Sequence, residues 1–258
     1  MNRTTQKIMA NVRLAKMSLF GACMAAFTIG SVAGCEQDPM FCLIASGYMV
    51  STYEVVSNDG SCEPLLHDGL ATAYHLGEGG DQNRGDPYHG GMSLIPGSVR
   101  DIHNWLNTVA AVEVTSEYDA NFGKFTTSHP VNGSCEPEEM STVEFSHPEV
   151  EASEDDPSTP DVDESMEALP AGSYRVDWSG VKLTVTPALA GTYLEGDLTV
   201  EQPCGTTTYS VRAFSPAVHC ESDADCEMLK EIDPSWKGVC VTDLMLDSWN
   251  PPGYCALE

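Results

Sequence analysis

The sequence predicts a mainly β protein, an antiparallel sandwich or barrel with one short amphipathic helix and a disulfide-rich C-terminal segment. Two runs predict the strands: Tyr48–Ser57 is β-branched and aromatic, and residues 173–214 alternate apolar and polar side chains. Helical spacing shows in one stretch, Ile102, Trp105, Leu106, Val109 and Ala110. The last 39 residues hold four cysteines, spaced C-x5-C-x13-C-x14-C.

Tyr48–Ser57 (YMVSTYEVVS) ends at Asn58-Asp59-Gly60-Ser61, a turn composition, and carries apolar residues on both faces, as a central strand does. Residues 77–97 contain seven glycines with Pro87 and Pro96 and read as a long loop. Ser98 with Asp101 three residues on resembles a capping box, which predicts a helix over 99–111. Residues 136–168 hold 13 acids and four prolines, so about 148–169 is expected to be disordered or a long exposed loop. In the β-rich stretch, Tyr174, Val176 and Trp178 share one parity and Val181, Leu183 and Val185 the other. The flip places a tight turn or a bulge at Ser179-Gly180. Leu194, Leu198 and Val200, then Tyr209, Val211 and Ala213, complete an antiparallel meander. Gly60-Ser61-Cys62-Glu63-Pro64 recurs as Gly133-Ser134-Cys135-Glu136-Pro137, which suggests equivalent turns.

The first 34 residues carry Arg3, Lys7, Arg13 and Lys16 and no acid, and Met17–Ala33 is an apolar run of 17 residues, the layout of an export signal. Val32-Ala33-Gly34-Cys35, followed by the polar Glu36-Gln37-Asp38-Pro39, resembles the lipobox of bacterial lipoproteins. The resemblance covers these residues alone. It implies cleavage before Cys35, which then carries a diacylglyceryl thioether and an N-acyl chain. More than one chain makes such anchoring stable. Glu36 in place of Asp after the cysteine implies the outer membrane, with the domain facing the periplasm or the cell surface. Met9 is an alternative start that leaves the same mature chain. The expected organisation is a signal over 1–34, a tether over 35–41, a mainly β domain over 42–215 with the acidic insertion, and a cysteine-rich module over 216–258.

Ten cysteines are present. Setting aside Cys23 in the signal and Cys35 leaves Cys42, Cys62, Cys135, Cys204, Cys220, Cys226, Cys240 and Cys255. An even count in an exported chain reads as disulfides, whose pairing spacing cannot decide. Two bridges in the C-terminal segment would staple a piece too short for its own core, each contributing roughly 2–4 kcal/mol. Zinc is the rival reading, but the first gap of five residues and the single nearby His219 fit zinc ligands poorly. Cys220-Glu221-Ser222-Asp223-Ala224-Asp225-Cys226 resembles the C-x-x-D-x-D-C opening of small disulfide modules, including the whey-acidic-protein type. The adjacent Cys-Cys pair of that family is missing, so protease inhibition does not carry over.

The formal charge is −27, and 8 − 39 = −31 falls on the 224 residues after the signal. That excludes most nucleic-acid partners, since phosphate binding needs clustered cations. H-E-x-x-H, the phosphate-binding G-x-x-x-x-G-K-[ST], a strand-linked G-x-G-x-x-G and the G-x-S-x-G of serine hydrolases do not occur. Asp81-Gln82-Asn83-Arg84-Gly85-Asp86 opens like a calcium loop but has glycine at position five and Met92 at position twelve. Carboxylate runs bind calcium loosely, which leaves Asp155, Asp156, Asp161 and Asp163 as candidate cation ligands. His67, His75 and His89 form a metal site only if their segments converge. Trp105, Trp178, Trp236 and Trp249 could build a sugar platform, with Trp236 and Trp249 the more exposed pair; packing is their commoner role.

These features predict a lipid-anchored bacterial envelope protein with a non-enzymatic binding or structural role. Its expected partners are the membrane, reached through the anchor, and an envelope protein or polysaccharide; no cofactor, resident metal or catalytic residue is assigned. The alternative is an anchored extracytoplasmic hydrolase of glycosides or esters, whose carboxylate pair leaves no local motif.

Overall fold

The computed structural model describes residues 41–77, 86–108, 114–116, 119–152, 169–186, 189–242, 244 and 253–258. Cys35 with its lipobox, residues 78–85, the acidic stretch 153–168 and Trp249 therefore lie outside the described residues.

Tyr48–Ser57 lies within β1 (Gly47–Asn58), which is followed by β2 (His67–Gly77), β3 (Asp86–Pro96) and helix α1 (Gly97–Thr108). Short strands β4 (Thr115–Ser116), β5 (Asn121–Lys124), β6 (Ser134–Cys135) and β7 (Val143–His147) come next, then the meander β8 (Gly172–Val185), β9 (Ala190–Gln202) and β10 (Gly205–Phe214). All ten join one antiparallel sheet, ordered β4-β7-β8-β9-β10-β1-β2-β3-β5, with β6 also on β8. β1 is interior to this order. The chain is mostly β, and the sheet curls into a half-barrel.

The concave side is filled. Met49, Leu70, Met92, Leu94, Val176, Leu183, Leu194, Leu198 and Val211 are buried in one apolar cluster, with α1 contributing Val99 and Leu106. Truncating such a leucine costs about 2–5 kcal/mol. The parity flip in β8 is a bulge, not a turn. The register with β9 shifts between Ser179 and Lys182, and Gly180 takes φ +60, a left-handed conformation that suits a residue without Cβ. One 14-residue strand thus turns Val181 inward beside Trp178.

The stretch read as a loop over 77–97 is corrected by β3, which covers Asp86–Pro96. Its glycines allow close packing. A Cβ on Gly90 would lie 2.2 Å from the Tyr74 hydroxyl, and one on Gly91 would lie 2.7 Å from the Gly123 carbonyl. β7 likewise sits inside the acidic stretch, burying Val143, Phe145 and His147 while Glu144 and Ser146 face out. The two Gly-Ser-Cys-Glu-Pro pentapeptides are not equivalent. Gly133 adopts φ +78, whereas Gly60 packs where a Cβ would meet the Cys204 carbonyl.

The open side of the half-barrel is strapped by segment 136–141. Thr126 N–H donates to Glu136 O (2.9 Å), Glu138 N–H to Lys124 O (2.8 Å) and Ser141 N–H to Phe122 O (2.7 Å). Asn121, fully buried, donates through Nδ2 to Ser141 O (2.6 Å) and across to Val176 O of β8 (2.7 Å).

Helix α1 starts without the expected capping box. Asp68 of β2 caps it instead, its Oδ2 accepting from Ser98 N–H (2.9 Å) and Ser98 Oγ–H (2.8 Å). Asp101 pairs with Arg100. Burial raises the Asp68 carboxyl above its ordinary range, although Ser98 and Gly69 donors oppose the shift.

All eight remaining cysteines are paired, as Cys42–Cys135, Cys62–Cys204, Cys220–Cys240 and Cys226–Cys255. The first two close long loops over the sheet. The last two hold a 3-10 turn (Asp223–Met228) and a one-turn helix α2 (Leu229–Ile232) against the hairpin β11 (Gly238–Val241) and β12 (Tyr254–Leu257). Within the C-x-x-D-x-D-C stretch, Asp225 Oδ2 accepts from Glu221 N–H and Ser222 N–H, and Asp223 Oδ1 accepts from Cys240 N–H. The two acids are structural caps. These donors also hold the Asp225 carboxyl below its ordinary range. β12 lies on the convex face of the sheet, where Val50, Phe214, Tyr254 and Leu257 share a second core.

Two outcomes follow from the strap and the cap. Asn121→Ala strands two buried carbonyls and should cost about 1–3 kcal/mol in denaturant unfolding, with faster amide exchange in β5; unchanged stability would contradict the strap. Asp68 keeps its proton to higher pH folded than unfolded, so its contribution is present below pH 3.8 and lost as pH rises through the raised value. Melting curves at a series of pH values should therefore show the wild type losing stability relative to Asp68→Asn as pH rises from about 4.

Candidate functional site

The sheet places its most concentrated polar chemistry on the outward face of β7, β8 and β9. In the β7–β8 register Arg175 stands opposite Glu144, and in the β8–β9 register it stands opposite Glu201. Directly opposed unlike charges favour each other across a ladder. Arg175 Nη1 meets Glu144 Oε1 at 2.5 Å, and its Nε and Nη2 meet the two oxygens of Asp177 at 2.6 and 3.3 Å. Thr142 Oγ–H donates to Asp177 Oδ1 at 2.5 Å. The Asp177 hydrogen bonds, then its charge, push the Arg175 guanidinium further above its ordinary range, so it stays charged. Beyond the bulge, Lys182 returns to the outward face and pairs with Glu195 at 3.7 Å.

Arg175 separates two open grooves. One, of about 490 Å³, lies between Glu144, Phe145, Tyr174 and Glu201. The other, of about 720 Å³, runs between the strap and the β8 bulge, past Glu138, Thr142, Asp177, Trp178 and Lys182. Trp178 is buried, and its Nε1–H has no hydrogen-bond partner among the described residues. The grooves offer carboxylate acceptors on the rim and two cations, Arg175 and Lys182.

The other candidates among the described residues do not assemble, and Asp81, Asp155, Asp156, Asp161, Asp163 and the side chain of His89 lie outside those residues. His67 and His75 both lie on β2, and eight residues of strand span about 26 Å, so they cannot share a metal. His75 instead contacts Ser93 Oγ at 2.9 Å and meets Phe122 edge-on. His147 is buried; its Nδ1–H donates to Pro148 O at 2.8 Å, and its Nε2 faces no donor among the described residues. Trp236 is packed, not displayed, against Tyr193 and Phe214 on the convex face. Cys220, Cys226 and Cys255 bring their sulfurs within 4.8 Å of one another, but all three are disulfide-bonded.

Arg175 carries no motif of its own. The signal was the outward parity of Arg175 and Asp177 in a strand predicted from its inward residues, but the partners Glu144 and Glu201 become visible only with the register. Because the cluster is open to solvent, Arg175→Ala should leave the urea unfolding midpoint close to that of the wild type; a clear loss of stability would make Arg175 a structural residue.

No curated protein and no solved structure matches the chain. The family model named MlpA matches residues 48–216. That span runs from β1 to just past β10 and includes both grooves, and the C-terminal cysteine hairpin lies beyond it. Covering well over half of the sequence, the match makes the chain a member of the MlpA family.

Proposed function

We propose that this protein is a lipid-anchored lipoprotein of the bacterial outer membrane that works by binding, and that the Arg175 grooves are its contact surface for an envelope protein or polysaccharide. The observation that carries the binding reading is the filled interior of the sheet. Small curled sheets that hold a ligand leave room inside, whereas here leucine, methionine and valine side chains occupy the concave side. Outside, two adjacent open grooves flank Arg175, and together they suit an extended partner. Membership of the MlpA family and the Val32-Ala33-Gly34-Cys35 stretch support the envelope address. On this reading acylated Cys35 supplies the membrane contact, and seven residues later Cys42 is bonded to Cys135 in the sheet. A chain that short holds the domain close to the bilayer surface.

Two measurements on the full-length chain test it. Mass spectrometry of the membrane-extracted protein should find residues 1–34 removed and Cys35 acylated, and Cys35→Ala should leave the membrane fraction. Cross-linking in intact cells should join the wild type to an envelope protein or polysaccharide, with at least a tenfold loss for Arg175→Ala at unchanged fold. Reproducible turnover of glycosides or esters by the purified chain would overturn the non-enzymatic reading in favour of a hydrolase.

A further inference from the structure

The hairpin β11–β12 sets Cys240 directly opposite Cys255, yet neither is bonded to the other. Each is bonded instead to the segment around the 3-10 turn, Cys240 to Cys220 just before it and Cys255 to Cys226 within it. The sulfurs of Cys220, Cys226 and Cys255 lie within 4.8 Å of one another, so the two disulfides form a single sulfur cluster. Three of the four cysteines are closed to solvent; Cys220 is 3 % exposed and Cys226 and Cys255 0 %. Cys240 is half-buried, the most exposed of the four cysteines.

We infer that this cluster is a thiol–disulfide exchange site, entered at Cys240 by a protein or small-molecule dithiol. The external thiolate attacks Cys240 Sγ, forms a mixed disulfide there and expels Cys220 as thiolate. Cys220 is already beside the second bridge and attacks Cys226 Sγ; the Cys220–Cys226 bond forms, the Cys226–Cys255 bond breaks, and Cys255 leaves as thiolate. Cys255 then attacks Cys240 Sγ across the hairpin, forming Cys240–Cys255 and returning the external thiolate. No electrons are gained or lost overall, and the dithiol is regenerated. The exchange has a structural consequence. In the present pairing both bridges tie the 3-10 segment to the hairpin, whereas after exchange each element closes on itself. The segment carrying the exposed Met228 and Ile232 is then held to the hairpin without a disulfide.

The bridge between Cys62 and Cys204 provides the internal contrast. Cys204 is exposed, but no third sulfur of the described residues groups with this pair, so attack there ends in simple opening.

Trypsin reads the outcome directly. Cleavage after Arg212, Lys230 and Lys237 puts Cys220 and Cys226 in one peptide and Cys240 and Cys255 in another. The present pairing joins these peptides, and the exchanged pairing separates them. The full-length protein in detergent is incubated with substoichiometric dithiothreitol, quenched with N-ethylmaleimide, digested and weighed. The expected result is release of both peptides, each with an internal disulfide and no added maleimide, with more protein converted than dithiol supplied. Cys226→Ala/Cys255→Ala, which lacks the receiving bridge, should instead consume dithiol mole for mole and label Cys220. Peptides that stay joined, or that separate only as alkylated thiols in step with the dithiol added, would overturn the inference, and the wild-type digest decides it even if the double variant does not fold.

Discussion

The constraint on which this structure turns is that the sheet is buried on both faces where the first half of β1 meets the end of β10, at the Val50–Phe214 pair. On the concave side Met49, Tyr53, Val211 and Ala213 join the main core; on the convex side Val50 and Phe214 lie under β12 and the cysteine-stapled segment. An antiparallel sheet commonly leaves one face to water, and here that is impossible around Val50 and Phe214, which point outward and are apolar. The C-terminal segment is therefore a lid. It docks through Thr52 Oγ–H to Leu257 O (2.6 Å) and Arg212 to Glu258 O (2.9 Å), and its two bridges hold a piece too small to fold alone.

The rest of the architecture follows from covering what the curled sheet leaves open. Segment 136–141 runs along β5, α1 closes over Val99 and Leu106, and the Cys42–Cys135 and Cys62–Cys204 bridges pin the segments that flank β1. Buried polar groups sit at these joints because main chain meets main chain there. Asn121 satisfies two carbonyls at the strap, and Asp68 satisfies the start of α1 while Ser51 Oγ–H donates to the Asp68 carbonyl at 2.7 Å. The lone cations sit on the outside, where Arg175 balances carboxylates on three strands and leaves the groove rims acidic.

What was legible in the sequence was whatever had period two and a clean apolar face. The β8–β10 meander, β1 with its two apolar faces and α1 over most of its length were all read from side-chain parity. β3 was missed because Gly90 and Gly91 read as a loop composition, although they are small to admit Tyr74 and the Gly123 backbone. β7 was hidden in a run of acids, where its alternation spans only five residues. The cap from Asp68 was invisible because it arrives from a strand 30 residues earlier, whereas a capping box is local. The Arg175 site needs two registers at once, which no linear pattern supplies. Eight paired cysteines were expected, but their pairing waited for the geometry.

The most direct test of the central claim is amide hydrogen exchange resolved along β1. If the C-terminal segment is the second roof of the sheet, amides of Met49–Tyr53 exchange as slowly as those of β8 and β9, and selective reduction of Cys220–Cys240 and Cys226–Cys255 accelerates them while β8 is unchanged. Rapid exchange in β1 with the bridges intact, or exchange indifferent to their reduction, would contradict the account.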